Sequence, residues 1–144
     1  MNPERINEIS QFIHAAFPEA NLKIVELNDE ETVVHFPIDK RHWRPGGSVS
    51  GPTLFAAADA ALYIAILGRF EAMKAAVTTA LNINFLNKAH GNTVIVAKCR
   101  LLKIGSRQVV GEVSLFDQNT DELVAHATGT YALPANLVRK KQAN

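Results

Sequence analysis

Two segments of the chain carry apolar residues at the spacing of an α-helix. In the opening segment the apolar residues lie three or four positions apart, at Ile6, Ile9, Ile13 and Phe17. This spacing is typical of an amphipathic helix, and we expect Pro18 to end it. Residues 53–67 are rich in Ala and Leu and contain neither Pro nor Gly, which predicts one long helix that ends at Gly68.

The rest of the chain has short runs that are typical of strands. NLKIVELN and ETVVHFPI are rich in β-branched residues and flank an acidic turn, so they predict a hairpin. The loop DKRHWRPGGSVSGP contains two Pro and three Gly, and no regular structure is expected there. After the long helix, four extended runs joined by short turns are expected to form an antiparallel meander: AVTTALNINFL, NTVIVAKCRLLKI, RQVVGEVSLFD and ELVAHATGTYAL.

The order of these elements restricts the fold class. The 144 residues suit one domain, 1–144, with an N-terminal helix at 1–17 and a polar tail at 134–144. Because the long helix is apolar on nearly all sides, it must be covered on nearly all sides. An antiparallel sheet of about six strands curled around it would do so. The sequence therefore predicts an α+β protein of the hotdog type, although the element order alone also permits other α+β arrangements.

Composition and charge exclude several classes of partner. Fifteen basic and fourteen acidic residues give a formal net charge of +1, which favours neither nucleic acid nor an anionic membrane. The only cysteine, Cys99, allows no disulfide within the chain. The N-terminus lacks the apolar core of a signal peptide, and no window reaches the ~20 apolar residues of a membrane span. We expect a cytoplasmic protein.

One carboxylate interrupts the long apolar helix. The side chains three, four and seven positions from Asp59 share its helix face and are apolar or aromatic: Phe55, Ala56, Leu62, Tyr63 and Ile66. The structural interpretation is an acid that faces solvent or pairs with Arg69 or Arg100. The functional interpretation is a partly desolvated carboxylate, which is more basic and can act as a general base or a nucleophile.

The start of the same helix offers a second chemical group. GGSVSGP leads directly into it, and unpaired N–H groups at a helix N-terminus can stabilise an oxyanion. Gly51 and Asp59 are eight residues apart, or about 12 Å along a helix, which is too far for both to act on one carbonyl carbon. We therefore predict a homodimer in which Gly51 of one subunit faces Asp59 of the other.

Several motifs resemble those of hotdog-fold acyl-CoA thioesterases of the phenylacetate-pathway type. SGPTLFAAADAALYIAI is similar to that family's H-G-G-x-x-x-x-L-x-D-x-A, with Gly51, Asp59 and Ala61 on its Gly, Asp and Ala. The C-terminal half resembles the family in its N-F-L-x-x-A, K-x-G-x-R and L-V-A-x-A-T-G-T motifs. The resemblance covers roughly residues 30 to 133.

The resemblance implies hydrolysis of the thioester of an acyl-coenzyme A, with no cofactor beyond the coenzyme A of the substrate. Asp59 would be the base or nucleophile and Gly51 the amide donor, in a homodimer or a homotetramer. Tyr63 falls where relatives carry a hydroxyl residue that orients water, or it belongs to the core. The remaining residues that the resemblance or the spacing assigns to catalysis or substrate binding are Ser50, Arg44, Pro52, Phe55, Asn84, Lys103 and Arg107.

Three residues depart from the family pattern. Arg44 stands where Asn or Gln is common, Ser50 replaces a His, and Pro52 replaces the second Gly. Ser50 can cap the helix and Pro52 suits its first turn. Arg44 is interpreted as a solvated loop residue, or as a contact to the thioester oxygen or to a carboxylate on the acyl group.

Other functions remain as alternatives. The departures keep open a non-hydrolytic acyl-CoA-binding or regulatory protein of the same fold. A dehydratase that uses His35 disagrees in spacing, since Asp59 lies twenty-four residues after it. The histidines have no metal-ligand spacing, so no metal is expected, and a serine hydrolase would need a G-x-S-x-G turn that the sequence lacks.

Overall fold

The computed structural model of the protein describes residues 3–19, 21–70 and 75–134. Two α-helices, one short 3₁₀ helix and six strands follow in this order: α1 (Pro3–Ala16), β1 (Lys23–Leu27), β2 (Thr32–Pro37), the 3₁₀ helix (Lys40–His42), α2 (Gly51–Arg69), β3 (Val77–Phe85), β4 (Val94–Ile104), β5 (Gln108–Asp117) and β6 (Leu123–Ala132). Every predicted helix and strand is present. The polar tail falls almost wholly on residues 135–144, outside the described residues.

One antiparallel sheet contains all six strands in the spatial order β1-β2-β4-β5-β6-β3. The predicted hairpin is confirmed, because β1 pairs with β2. The predicted four-strand meander is wrong in one respect, since β3 pairs with β6 and not with β4. The reason lies in residues 86–93, which lead the chain from the edge strand β3 across to β4, between β2 and β5. This segment is hydrogen-bonded to the loop before α2, because the Val49 N–H donates to the Ala89 C=O.

Helix α2 lies in the concave side of this sheet. Leu62, Ile64 and Ile66 are completely buried, and nine of its nineteen residues belong to the core. Its length and a mean hydropathy of 1.4 would suffice for a membrane span, but half of that apolar stretch is buried inside the protein. A six-stranded antiparallel sheet around one long helix is the hotdog arrangement that the sequence predicted.

The ends of α2 differ from the prediction. The helix starts at Gly51 rather than 53, because Ser50 caps it and Pro52 fits the first turn. It continues through Gly68 to Arg69, so the predicted stop at Gly68 is wrong. A Cβ at Gly68 would lie 2.6 Å from Leu27 Cδ1, which shows that this glycine serves the close approach of β1 to the helix.

Two further predictions from the sequence are wrong. Phe17 was placed on the first helix, but α1 ends at Ala16 and Phe17 is 52% exposed. The loop before α2 was expected to lack regular structure, but it contains the 3₁₀ turn. Asp39 caps this turn, because its side chain accepts the Arg41 N–H at 2.9 Å while the Asp39 N–H donates to His42 Nδ1.

Candidate active site

Asp59 lies in the third turn of α2, half-buried beside the first residues of β3. Its Oδ1 accepts two hydrogen bonds, from Thr78 Oγ1 at 2.7 Å and from the Tyr131 hydroxyl at 2.8 Å. Its Oδ2 accepts none from the described residues. The carboxylate is therefore held by one oxygen and presents the other to incoming molecules, which is the geometry that a general base or a nucleophile requires.

Two tyrosine rings, one on α2 and one on β6, stack next to this arrangement. Tyr63, one turn after Asp59, stacks on Tyr131 of β6 with ring centres 6.0 Å apart and planes 15° from parallel. Burial raises the pKa of both phenols, and the hydrogen-bonded Asp59 carboxylate raises the pKa of Tyr131 further. Tyr131 therefore stays protonated at neutral pH and acts as a donor to Asp59.

Neither arginine that the sequence offered as a partner contacts the Asp59 carboxylate. The Arg69 Nε lies 3.6 Å from Asp29 Oδ1, and Arg100 forms an ion pair with Glu112. The acid on the apolar helix is thus neither solvated alone nor neutralised by a cation among the described residues. Two hydroxyl donors, Thr78 and Tyr131, orient it instead.

The N-terminus of α2 presents the second predicted group. The Ser50 hydroxyl accepts the Thr53 N–H at 3.3 Å, and the Ser50 carbonyl accepts the Leu54 N–H. Pro52 has no N–H. The Gly51 N–H is left without a partner among the described residues, so it is the donor that the helix start offers to a ligand oxygen. An exposed aromatic ring, Phe85 at the end of β3, lies against Gly51, 3.4 Å from the position of a Cβ.

A cavity of about 780 Å³ opens beside Asp59. The residues that line it come from Ile13 of α1 and the segment after α1, from the end of β2 and the 3₁₀ turn, from α2, from the start of β3 and from Tyr131, and most are apolar. Of the residues predicted from sequence, Asp59, Tyr63 and Pro52 lie on this cavity. A cavity of this size lies within the range of small-molecule sites.

The other predicted residues lie elsewhere in the single chain. Ser50 and Gly51 are at the helix start, and Phe55 is 41% exposed on the helix. The remaining four are exposed and away from the cavity: Arg44 in the loop before α2, Asn84 on β3, and Lys103 and Arg107 at the β4–β5 turn. The structure therefore does not bring all the predicted binding residues to one site within one subunit.

Sequence reasoning missed Thr78 and Tyr131. They are 19 and 72 residues from Asp59, and both lie in runs whose pattern indicates only a strand. No local signal marks them. They reach Asp59 because β3 pairs with β6, where Thr78 lies opposite Tyr131 in the register.

The dehydratase alternative, which uses His35, finds no support at this cavity. His35 follows the completely buried Val34 on β2, so its side chain lies on the other face of the sheet. Burial, with a smaller contribution from Lys23, lowers the pKa of His35. Among residues 3–19, 21–70 and 75–134, no group of three or more His, Cys, Asp or Glu side chains could hold a metal ion.

The family model of the thioesterase superfamily matches residues 46–124, more than half of the chain, including the start of α2 and Asp59. The chain belongs to the thioesterase superfamily. A solved structure from Silicibacter sp. TM1040, provisionally classed as a thioesterase, is 32% identical, with a TM-score of 0.79 over 90% of this chain and 91% of that chain. Both findings agree with the resemblance in the sequence motifs.

Solved structures of lower sequence identity share the fold. The Escherichia coli PaaI protein of the phenylacetic acid degradation operon is 20% identical, with a TM-score of 0.74 over 90% of this chain and 96% of that chain. A hypothetical thioesterase of Streptococcus pneumoniae TIGR4, solved with coenzyme A, is 21% identical, with a TM-score of 0.71 over 96% and 99%. No curated protein sequence matches the chain.

Proposed function

We propose that this superfamily member is an acyl-CoA thioesterase with Asp59 as its catalytic base or nucleophile. The observation that carries the proposal is the Asp59 carboxylate at the edge of an apolar cavity, with Oδ1 held by two hydroxyl donors and Oδ2 unoccupied by the described residues. A thioester carbonyl beside Oδ2 would leave its acyl group next to the cavity. The coenzyme A bound to the pneumococcal relative supports the choice of thiol.

The edge strand β3 supports a twofold dimer. β3 has nine residues, one edge pairs with β6, and the other is unpaired in the single chain. Val77 and Phe85 on it are 58% and 54% exposed. A long exposed apolar edge strand readily pairs with another chain. A second β3, antiparallel to the first, would satisfy these backbone groups and cover these side chains.

Such pairing also joins the two halves of the site. Thr78 marks the end of β3 beside Asp59, and Phe85 marks the end beside Gly51. If the twofold axis passes between Leu81 and Asn82, Thr78 lies opposite Phe85 of the partner subunit. The Gly51 N–H of one subunit then lies close to the Asp59 carboxylate of the other, which removes the 12 Å separation within one helix.

The reaction then needs only water. The Gly51 N–H would polarise the carbonyl oxygen and stabilise the tetrahedral oxyanion. Asp59 Oδ2 would remove a proton from water as the water oxygen attacks the carbonyl carbon, or would attack that carbon directly to form an anhydride that water hydrolyses. The C–S bond breaks, the thiolate takes up a proton, and the products are a carboxylic acid and coenzyme A. We propose a cytoplasmic enzyme that needs no cofactor.

The first test compares wild type with Asp59→Asn in a thiol-release assay over a panel of acyl-CoAs. Asn keeps the size and the hydrogen-bond acceptor of Asp59 but is a poor base, so we expect hydrolysis to fall at least about 10³-fold while the dimer and its Tm are retained. Undiminished hydrolysis by Asp59→Asn would reject the assignment. Stabilisation of wild type by acyl-CoA without any thiol release would favour the non-hydrolytic binding protein.

Mixing of two inactive variants tests the division of the site between subunits. Gly51→Val covers the helix N–H, and Asp59→Asn removes the base. A mixed dimer would hold one site with both native groups, so refolding the two variants together should restore about a quarter of wild-type activity. If each site belonged to one subunit, the mixture would stay inactive. Sedimentation of the wild type as a monomer would also contradict the proposal.

A further inference from the structure

The cavity beside Asp59 distinguishes between classes of acyl group. It lies beside α2, and its apolar side chains include Ile13 of α1, Phe17 just after α1, Leu22, and Phe36 and Ile38 at the end of β2. All of them belong to the same chain as the Asp59 that opens onto the cavity. We infer, on the basis of the proposed function, that this cavity receives the acyl group. The preferred acyl group is an uncharged aliphatic chain that extends further than an acyl group with a single aromatic ring.

The charges around the cavity exclude an acidic acyl group. Its described lining contains two carboxylates, Glu19 and Asp59, and no Lys or Arg. His42 also lines it, but its Nδ1 accepts the Asp39 N–H at 2.9 Å. A second carboxylate, as on a dicarboxylic acyl group, would lose hydration there and gain no cation. Arg44, which the sequence offered as such a partner, is exposed and does not line the cavity.

The size and shape of the cavity favour a chain over a short or single-ring group. Its volume of about 780 Å³ lies in the upper part of the range for small-molecule sites. On α2 the lining residues between Pro52 and Asp59 include Ala56 and Ala57, whose small side chains leave this space open. Pro52 and Asp59 are seven residues apart, so this side of the cavity extends about 10 Å along the helix.

The length of the acyl chain then determines the affinity of the protein for acyl-CoA. Each buried methylene contributes about fourfold in a binding constant, from the free energy of removing it from water. We expect the dissociation constant of acyl-CoA to fall by up to about fourfold per added methylene from butyryl to decanoyl, and phenylacetyl-CoA to bind more weakly than decanoyl-CoA. Succinyl-CoA should bind more weakly than butyryl-CoA, which has the same number of carbon atoms.

Calorimetric titration of the Asp59→Asn protein with these acyl-CoAs tests the inference without turnover. In this variant Glu19 remains, and the described lining still offers no Lys or Arg to a second carboxylate, so the expectation for succinyl-CoA is retained. Ala56→Leu, added to Asp59→Asn, narrows the cavity and should reduce the octanoyl and decanoyl affinities at least tenfold more than the butyryl affinity. Ala15→Leu, on the exposed side of α1 and away from the cavity, is the matched control and should leave the series unchanged.

The outcomes separate this inference from the proposed catalytic role. Equal affinity for butyryl and decanoyl groups, binding of succinyl-CoA as tight as that of butyryl-CoA, or an unaltered series in Ala56→Leu would each overturn the inference, even if Asp59→Asn is inactive. Conversely, the affinities could rise with chain length as expected while hydrolysis does not depend on Asp59. That result would support the acyl cavity and reject the catalytic assignment.

Discussion

Replacement of Tyr131 by Phe removes one of the two hydroxyl donors that hold Asp59. The Tyr131 hydroxyl lies 2.8 Å from Asp59 Oδ1 and 3.2 Å from the Asp59 carbonyl oxygen, and the residue is only 4% exposed. Phe keeps the ring, its stacking on Tyr63 and its volume, so the cavity does not change. The variant therefore tests orientation of the carboxylate separately from packing.

The expected loss follows from the number of donors. A hydrogen bond to a charged group contributes about 1.5–3 kcal/mol. Because Thr78 still donates to the same oxygen at 2.7 Å, we expect an effect near the lower limit, which corresponds to about a tenfold decrease in kcat. KM should stay within about twofold, since ground-state binding does not use this hydroxyl. The free energy of unfolding should fall by about 1.5 kcal/mol, the same lower limit.

Steady-state kinetics with a thiol-release assay and chemical denaturation measure these three quantities. The neighbouring threonines supply a matched control: Thr78→Val removes the second donor to Asp59, whereas the Thr79 hydroxyl donates to the Thr130 carbonyl instead. Thr78→Val should lower kcat and Thr79→Val should not. A Tyr131→Phe enzyme with wild-type kcat, or one altered only in KM, would refute the positioning role.

Three further changes test the local structure. Gly68→Ala should lower the free energy of unfolding by about 1–3 kcal/mol despite the better helix propensity of Ala, because its Cβ would lie 2.6 Å from Leu27; an unchanged Tm would contradict this packing. Ser50→Ala removes the cap that accepts the Thr53 N–H and should cost about 1 kcal/mol by denaturation, whereas Ser50→Asp should restore it. Burial raises the pKa of Cys99 to about 12, so a thiol reagent at pH 8 should label it only after unfolding; rapid labelling of the native protein would show that this strand opens.

The acid of the candidate site stands out in the local sequence. Asp59 is conspicuous because every residue that shares its helix face within two turns is apolar or aromatic, and helical periodicity needs no knowledge of the rest of the fold. The cap at Ser50 and the first turn at Pro52 are likewise short-range features. The separation of Gly51 and Asp59 along one helix also follows from spacing alone.

The donors to that acid were decided by the tertiary structure. Thr78 and Tyr131 face Asp59 because β3 crosses to the far edge of the sheet and pairs with β6 rather than with β4. Strand periodicity has no information about which strand becomes the neighbour, since an alternating run satisfies any antiparallel partner equally. The same limit explains why a four-strand meander was expected.

The sequence by itself thus determined the helices, the strands, the apolar helix with its single acid, and the family motifs, because each depends on residues that are close together in the chain. Only the tertiary structure decided the strand order, the role of Gly68 against Leu27, and the apolar cavity beside Asp59. These features depend on the packing of segments that are far apart in sequence, where volume and pairing partners, rather than local periodicity, select the arrangement.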